Sequence, residues 1–496
     1  MGESFFKAPP DSCVFCVGIK GTGMSALAEL LLNAGLRVTG SDTGDVFYTD
    51  AILKELGIPY FETFDAAHIR EGIALVIHSA AYSPETNPEL LEASRRGIPI
   101  LKYADALGAY SAGFDSSGIA GVHGKTTTTA LTGALLKGAR LPAQVLAGSA
   151  VRDFGGHSTL SLGSTYFVAE TCEYRRHFLS FHPRRIVLTG VESDHQDYYP
   201  TYESIRDAFV EYGRKLPHGG ELIYCADNEG ACEVVEILKK LKSEKRGITF
   251  TPYGFTAQGD FRIKNFSVEN ERIVFEVNAF AGPFILRTPG KHNALNAAAA
   301  LALVSSIVRA ENGAANRGLW TKTQLEGARR ALEHFCGSKR RSEIIGEQNG
   351  VLFMDDYAHH PTAIKTTLEG IRAFYPGRRL IVSFMPHTYS RTAALLDEFA
   401  TAFTGADVLV LHKIYASARE TRSYGITGKT LFEKIEKIEK IEKTEPLAPF
   451  RKKIFYTEEP LDALPLIKPM LRAGDLFLTM GAGDNWKLGK ALLEKI

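Results

Sequence analysis

One short segment constrains this chain more than any other: Gly121-Val122-His123-Gly124-Lys125-Thr126-Thr127, set between the small-residue run Gly118-Ile-Ala and an apolar-periodic stretch. Glycines let backbone N–H groups approach an anion with no Cβ in the way. The helix expected over Thr127–Leu136 would aim its positive end at the same anion. Lys125 is placed to bridge phosphates, and the Thr126 hydroxyl to ligate Mg²⁺. The spacing departs from G-x-x-x-x-G-K-[ST], because Ile119 stands five residues before Gly124. What remains, G-x-x-G-K-T between a strand and a helix, reads as a phosphate cradle. An accidental glycine turn is the bland alternative.

Such a cradle does not say what is done with the phosphate. Two acidic clusters downstream bear on that: Glu170-Thr-Cys-Glu173 after the run TYFVA, and Glu192-Ser-Asp194-His195-Gln-Asp197 after IVLTGV. Both place carboxylates at the carboxyl end of a strand, where α/β sheets keep their ligand sites. Carboxylate oxygens and a neutral imidazole suit a Mg²⁺ ion that also meets phosphate. The competing reading is that strand-end acids only cap loops.

Three α/β blocks follow one another. The first opens with strand CVFCVGI, the turn Gly18-Ile-Lys-Gly21-Thr-Gly23, a helical stretch, and a second strand ending at Ser41-Asp42. Taken alone, the G-x-x-G-x-G order leaves a dinucleotide and a nucleotide sugar equally open, with Asp42 at a distance compatible with ribose binding. An Ala/Ser/Gly-rich piece over residues 109–117 reads as a linker. The second block holds TYFVAE, RRIVLTGV and the Ala-rich helix ALNAAAALALVSSIV; the third holds VLFMDD, RLIVSFM, DVLVLH and DLFLTMGAGD. The expected domains are 1–113, 114–334 and 335–496, which fits a 496-residue chain. The repeat EKIEKIEKIEK over 433–443 reads as an extended surface helix.

Composition removes several function classes. With 58 basic and 57 acidic residues, there is no electrostatic case for nucleic acid. The start lacks a basic segment leading into an apolar run, and no apolar stretch looks long enough to span a bilayer; the run 297–308 is too short. Six cysteines in so long a chain do not form a disulfide framework. Cys13 and Cys16 lie three apart in a strand and so on opposite faces. The expected compartment is the reducing cytoplasm.

The glycine loop, strand-end glutamate and Asp-His segment together resemble the central domain of the Mur ligases. Further matches stand in the family's order: Lys291-His292-Asn293-Ala-Leu-Asn296, Asp355-Asp356-Tyr357-Ala-His359-His360-Pro361 and Pro386-His387-Thr-Tyr-Ser-Arg391. The opening Gly18-Ile-Lys-Gly-Thr-Gly-Met-Ser25 is similar to that of the alanine-adding members, and the likeness covers essentially the whole chain. It implies a three-domain α/β fold, with Rossmann-like ends around a P-loop ATPase-like centre. It also implies ATP-dependent joining of L-alanine to UDP-N-acetylmuramate, with Mg²⁺, as a monomer or homodimer. By the same resemblance, Gly121–Thr127 hold ATP, Thr126 and Glu170 hold Mg²⁺, and His195 ligates a second ion. His292, Asn293 and Asn296 line the adenine side, with Asp355 or Asp356 near the ribose. Arg340 and Arg341 reach the transferred phosphate, while Tyr357, His359 and Arg391 surround the alanine. Gly18, Gly21, Gly23, Ser41 and Asp42 hold the nucleotide sugar.

The chemistry suits those residue types. A carboxylate is a poor electrophile, and phosphorylation gives it a leaving group; cations spread the charge of the moving phosphoryl. The attacking amine must be neutral, and His359 is a candidate to help remove its proton. Departures are visible too. Thr388 stands where some alanine ligases carry arginine, and Glu170-Thr-Cys-Glu173 replaces E-A-D-E, leaving open which glutamate meets the metal. Position 210 is valine, where later enzymes of the pathway carry a modified lysine. His360-Pro361 also reads as an ordinary helix start. A tripeptide-adding recycling ligase, an NAD-dependent oxidoreductase and a nucleotide-switched binding protein are the rival functions.

Overall fold

The computed structural model describes residues 12–241, 247–313, 320–416, 420, 422–442 and 452–496. Strand–helix alternation gives three sheets. In the first, β1 (Cys13–Val17), β2 (Arg37–Ser41), β3 (Tyr60–Phe61), β4 (Ile73–His78) and β5 (Ile100–Lys102) are parallel in the order β3-β2-β1-β4-β5. The chain leaves β1 toward both edges, which opens a crevice at the carboxyl end of β1. The Gly18–Gly23 turn lies there. Phe15, Val17, Val76 and Leu90 form part of the core below it, each contributing about 1.5–3 kcal/mol by burial. The free thiols of Cys13 and Cys16 sit on β1, and burial pushes Cys16 up to about 12.

The second sheet runs β12 (Thr249–Gly254), β11 (Glu221–Cys225), β10 (Arg185–Leu188), β6 (Asp115–Ala120), β9 (Tyr166–Glu170), β7 (Ala143–Leu146) and β8 (Thr159–Ser161). All are parallel except β8, which is antiparallel to β7. The glycine loop follows β6 at its centre, with β9 and β10 on either side. The expected linker at 109–117 is regular structure instead: the helix Tyr103–Ser111 and the start of β6. Its small residues mark tight packing, for Ser116 and Ser117 are fully buried.

An antiparallel meander follows, β13 (Phe261–Glu269), β14 (Arg272–Val277) and β15 (Phe284–Leu286). The last sheet has the order β16-β17-β21-β18-β19-β20, built from β16 (Glu343–Gln348), β17 (Val351–Asp356), β18 (Arg379–Met385), β19 (Val408–Leu411), β20 (Lys453–Tyr456) and β21 (Asp475–Gly481). Only β16 is antiparallel to its neighbour. Phe353, Ile381, Val410 and Phe477 pack its core.

These segments form two compact units. One comprises 1–192, 205–262 and 296–332; the other comprises 193–204, 263–295 and 333–496. The Ala-rich helix, Lys291–Asn312, is 22 residues long, so by length and composition it is able to cross a membrane, against the expectation. Polar residues at its ends extend the apolar run, and 83% of its apolar window is buried. The EKI repeat falls on the helix Gly428–Glu442, whose Leu431 and Ile435 are buried, so it packs rather than standing free. Ile441 and residue 443 lie outside the described side chains.

Candidate active site

The phosphate cradle is built from two left-handed glycines. Gly121 has φ +134° and Gly124 φ +80°. A Cβ at Gly121 would lie 2.2 Å from Thr189 Oγ1, and one at Gly124 would lie 2.6 Å from Asn296 Oδ1. Thr189 donates its hydroxyl to the carbonyls of Ala120 and His123, fixing the loop from the end of β10. The helix begins at Lys125, two residues earlier than expected, and its first bond runs from Thr128 N–H to Gly124 O. The amides of Lys125, Thr126 and Thr127 therefore have no partner within the helix and suit an anion. Val122 differs: its amide donates to Gly190 O at 2.9 Å and its side chain is buried.

The two glutamates of the first acidic cluster take different partners. Lys125 Nζ lies 2.8 and 3.1 Å from the Glu173 carboxylate. Burial disfavours the Lys125 charge, but Glu173, together with Cys172 and Glu170, outweighs it, and the ammonium is held above its ordinary value. Glu170 accepts from Thr126 Oγ1 and from Gly148 N–H, each at 2.7 Å. Asn296 supports the cradle from below, accepting from Thr128 Oγ1 at 3.2 Å. His123 Nε2 stands 3.7 Å from Glu192 Oε2.

At the first turn, Gly18 and Ile19 donate their amides to Ser41 O, at 2.8 and 3.1 Å. Asp42 Oδ2 accepts from Lys20 N at 2.7 Å; Oδ1 accepts from Tyr82 Oη at 3.0 Å and Thr43 N at 2.8 Å. Ser41 is fully buried and donates its hydroxyl to Glu89. Ser41 and Asp42 thus pin the turn from behind. The open donors are the first amides of the helix Thr22–Asn33, whose first bond joins Ser25 N to Gly21 O. Gly23 of this turn and Glu170 of the second sheet line one cavity of about 130 Å³, with Tyr103, Leu107 and Gly148.

The second unit gathers another set. Asp194, 4% exposed, accepts from Arg391 Nε at 3.0 Å and Nη2 at 2.6 Å. Burial alone would raise the Asp194 carboxyl; Arg391 beside it, with His195 and His359, holds it well below the usual carboxylate range. Asp194 Oδ1 also accepts from the His195 amide, and His195 sits at φ +54°. Arg391 Nη1 reaches His387 Nδ1 at 3.2 Å. The His359 ring meets those of Tyr357 and His387 edge-on, at 4.9 and 5.4 Å between centroids.

The paired arginines separate. Arg340 donates to Asp355, Gly481 O and Gly483 O, and stacks 5.0 Å from the Tyr357 ring centre. The Arg341 guanidinium lies over the same ring, 5.6 Å from its centre, with no hydrogen bond of its own among the described residues. Asp355 and Asp356 are buried. Asp355 holds Arg340 and Thr479, while Asp356 accepts from Ser342 and the Ala358 amide. Arg340, Thr479, Ser342 and the Ala358 amide thus draw on both carboxylates. Asn293 donates to Pro289 O at 2.7 Å, and His292 lies beneath Gly290. His360 caps the helix Pro361–Phe374 by accepting from Thr362 N, as its helix-start reading requires. Sequence reasoning left Glu173 as one of two glutamates able to meet the metal and did not assign Asp194, His387, Glu89 or Thr189 a role. Of these four, Asp194 carried a signal as a member of a strand-end acidic cluster and His387 as part of the Pro386–Arg391 match.

Three family models match in order. The Mur ligase family catalytic domain covers residues 14–115, the Mur ligase middle domain 119–304, and the Mur ligase glutamate ligase domain 340–483. The UDP-N-acetylmuramate–L-alanine ligase of Treponema pallidum (strain Nichols) is 50% identical over 481 residues, 97% of this chain and 96% of that protein. The chain is a Mur ligase. The Mur ligase of the same description from Borreliella burgdorferi is 38% identical over 480 residues, 96% of this chain and 97% of its own. Among solved structures, the UDP-N-acetylmuramate–alanine ligase of Thermotoga maritima aligns with TM-score 0.72 at 24% identity, covering 97% of this chain and 98% of that one. A murein peptide ligase from Psychrobacter arcticus aligns at TM-score 0.62, over the same shares of each chain. This Mur ligase therefore has the family's three-domain α/β architecture.

Proposed function

We propose that this Mur ligase joins L-alanine to the carboxylate of UDP-N-acetylmuramate at the expense of ATP, in the cytoplasm, during peptidoglycan precursor synthesis. The observation that carries the reading is the shared cavity: the turn suited to a nucleotide sugar and the carboxylate beside the phosphate loop open into one space. The half-identical relative acts on the same pair of substrates by its name. The domains of the reading are 1–113 for the sugar nucleotide, 114–334 for ATP and 335–496 for the amino acid.

ATP phosphates lie on the amides of Lys125, Thr126 and Thr127, with Lys125 released from Glu173 to the β- and γ-phosphates. The muramyl carboxylate attacks the γ-phosphorus, ADP leaves, and an acyl phosphate forms. The neutral alanine amine then attacks the acyl carbon, and phosphate departs as the nitrogen loses its second proton. Arg341, whose donors are open, suits the developing phosphoryl charge; Arg340 acts by positioning Tyr357. Thr126 and Glu170 would hold Mg²⁺: their oxygens are hydrogen-bonded neighbours beside the glycine loop, and both are hard donors of the kind that ion takes. The ion would supply charge neutralisation on the phosphates.

Phosphate release is the test. With UDP-N-acetylmuramate, ATP and Mg²⁺, a panel of twenty amino acids should show L-alanine preferred; release with none of them defeats the reading, and preference for a tripeptide redirects it. The two glutamates are expected to differ. Glu170→Gln should raise the Mg²⁺ concentration for half-maximal rate by about 10–100-fold. Glu173→Gln should leave that requirement near its wild-type value. A titration giving the reverse order would exchange their roles.

A further inference from the structure

We propose that His68 is a positioning residue for the nucleotide-sugar turn: its imidazole fixes the buried Glu89 carboxylate, Glu89 fixes Ser41, and Ser41 sets the amides that shape the turn. It rests on the reading that Gly18–Gly23 receives the nucleotide sugar. His68 acts through its neighbours, without a contact of its own to that substrate.

The chain of contacts is continuous. His68 Nδ1 lies 2.7 Å from Glu89 Oε1, and Ser41 donates its hydroxyl to Glu89 Oε2 at 2.5 Å. A carboxylate only accepts, so His68 Nδ1 is the donor. Ser41 O in turn accepts from Gly18 N and Ile19 N, at 2.8 and 3.1 Å. The following amide, Lys20 N, donates to the Asp42 carboxylate at 2.7 Å. Three successive amides of the turn therefore depend on where Ser41-Asp42 is held. A second path reaches the same pair. Phe61 lies flat on the His68 ring, with 3.7 Å between centroids and 2° between planes, and its carbonyl accepts from Asp42 N at 2.9 Å.

Glu89 needs this support because of where it stands. Its side chain is fully buried, and that of His68 is 12% exposed. It lies in the first turn of the helix Pro88–Arg95, whose N-terminus Asn87 caps, and that end of a helix favours a negative charge. Burial nevertheless pushes the Glu89 carboxyl up, and Ser41, His68 and the Asp65 amide draw it only part of the way back. Without His68 the balance moves toward the neutral acid. A neutral acid carries a donor of its own, so its bond with Ser41 loses a fixed direction. Held at both oxygens, the carboxylate has one orientation; held at one, it has several.

His68→Leu, which keeps the bulk and removes the donor, is expected to raise KM for UDP-N-acetylmuramate by about tenfold, the loss typical of one hydrogen bond to a charged group. KM for ATP and for L-alanine should stay near their wild-type values. His68→Asn should recover most of the loss, because its amide N–H₂ reaches the place of Nδ1. A lower melting temperature with all three KM values unmoved means a role in stability alone and overturns the proposal. Hydrogen exchange adds a readout that needs no substrate. The Gly18 and Ile19 amides should exchange about tenfold faster in His68→Leu than in wild type, while the Phe353 amide of the last sheet keeps its rate. Unchanged exchange at Gly18 and Ile19 overturns the proposal. If His68→Leu fails to fold, it is combined with Glu89→Gln, which removes the buried charge, and the same rises in KM and exchange are expected. Absence of phosphate release by wild-type protein defeats the ligase reading separately, and the exchange rates still decide the role of His68.

Discussion

Replacing Lys125 by alanine is expected to slow phosphate release by about 10³-fold or more at saturating ATP. The magnitude is that of removing a positioned cation or donor from a developing phosphoryl or oxyanion charge. Two observations support so large an effect. The ammonium is the group next to the left-handed Gly124, directly at the helix start, and it lies 2.8 Å from the buried Glu173 carboxylate. Removal also takes the Lys125 ammonium away from the Glu173 carboxylate, 1% exposed, and breaking one side of a buried ion pair is destabilising. Lys125→Ala combined with Glu173→Ala should therefore recover thermal stability while leaving phosphate release as slow as in the single variant. Full ligation by Lys125→Ala would contradict the phosphate site outright.

Arg391→Ala is expected to cost about 3–5 kcal/mol of folding stability, measured by urea unfolding, together with loss of ligation. That range is typical of breaking one side of a buried ion pair. Arg391 and Asp194 are each 4% exposed, and two guanidinium nitrogens meet one carboxylate oxygen. Arg391→Lys keeps the charge but not the fork that reaches both Asp194 and His387, so its loss should be intermediate. The pH dependence has a definite sign. Asp194 is held below its ordinary value, so its contribution is present above the unfolded pKa of about 3.9 and is lost as pH falls through the folded value. The stability gap between wild type and Arg391→Ala should narrow below about pH 4. A gap that stays constant down to pH 2 would mean that the pair contributes nothing through charge.

Much of the fold was legible because its signals are local. The runs CVFCV, VLFMDD and RLIVSFM are apolar enough to be recognised as central strands, and they became β1, β17 and β18. The antiparallel meander of β13–β15 was not foreseen: β14 alternates with Ile273, Phe275 and Val277 inward, but a register shift between Lys264 and Ser267 interrupts the pattern in β13. The 109–117 stretch misled for a related reason. Small residues mark a loop when exposed and a close approach when buried, and Gly118, whose Cβ would lie 2.1 Å from Tyr212 Oη, belongs to the second kind.

Sequence alone determined where the candidate groups lie in the fold: the glycine loop, the acids at the ends of β9 and β10, and the histidines and Arg391 after β17 and β18. A parallel strand delivers whatever follows it to the sheet's carboxyl edge, so position in the chain is position on that edge. Tertiary structure alone decided who is bonded to whom. Glu173 rather than Glu170 takes Lys125; Asp194 takes Arg391 across 197 residues; Ser41 is turned inward to Glu89. A buried polar group must find a partner among its neighbours in space, and those neighbours are brought together only when the sheets pack.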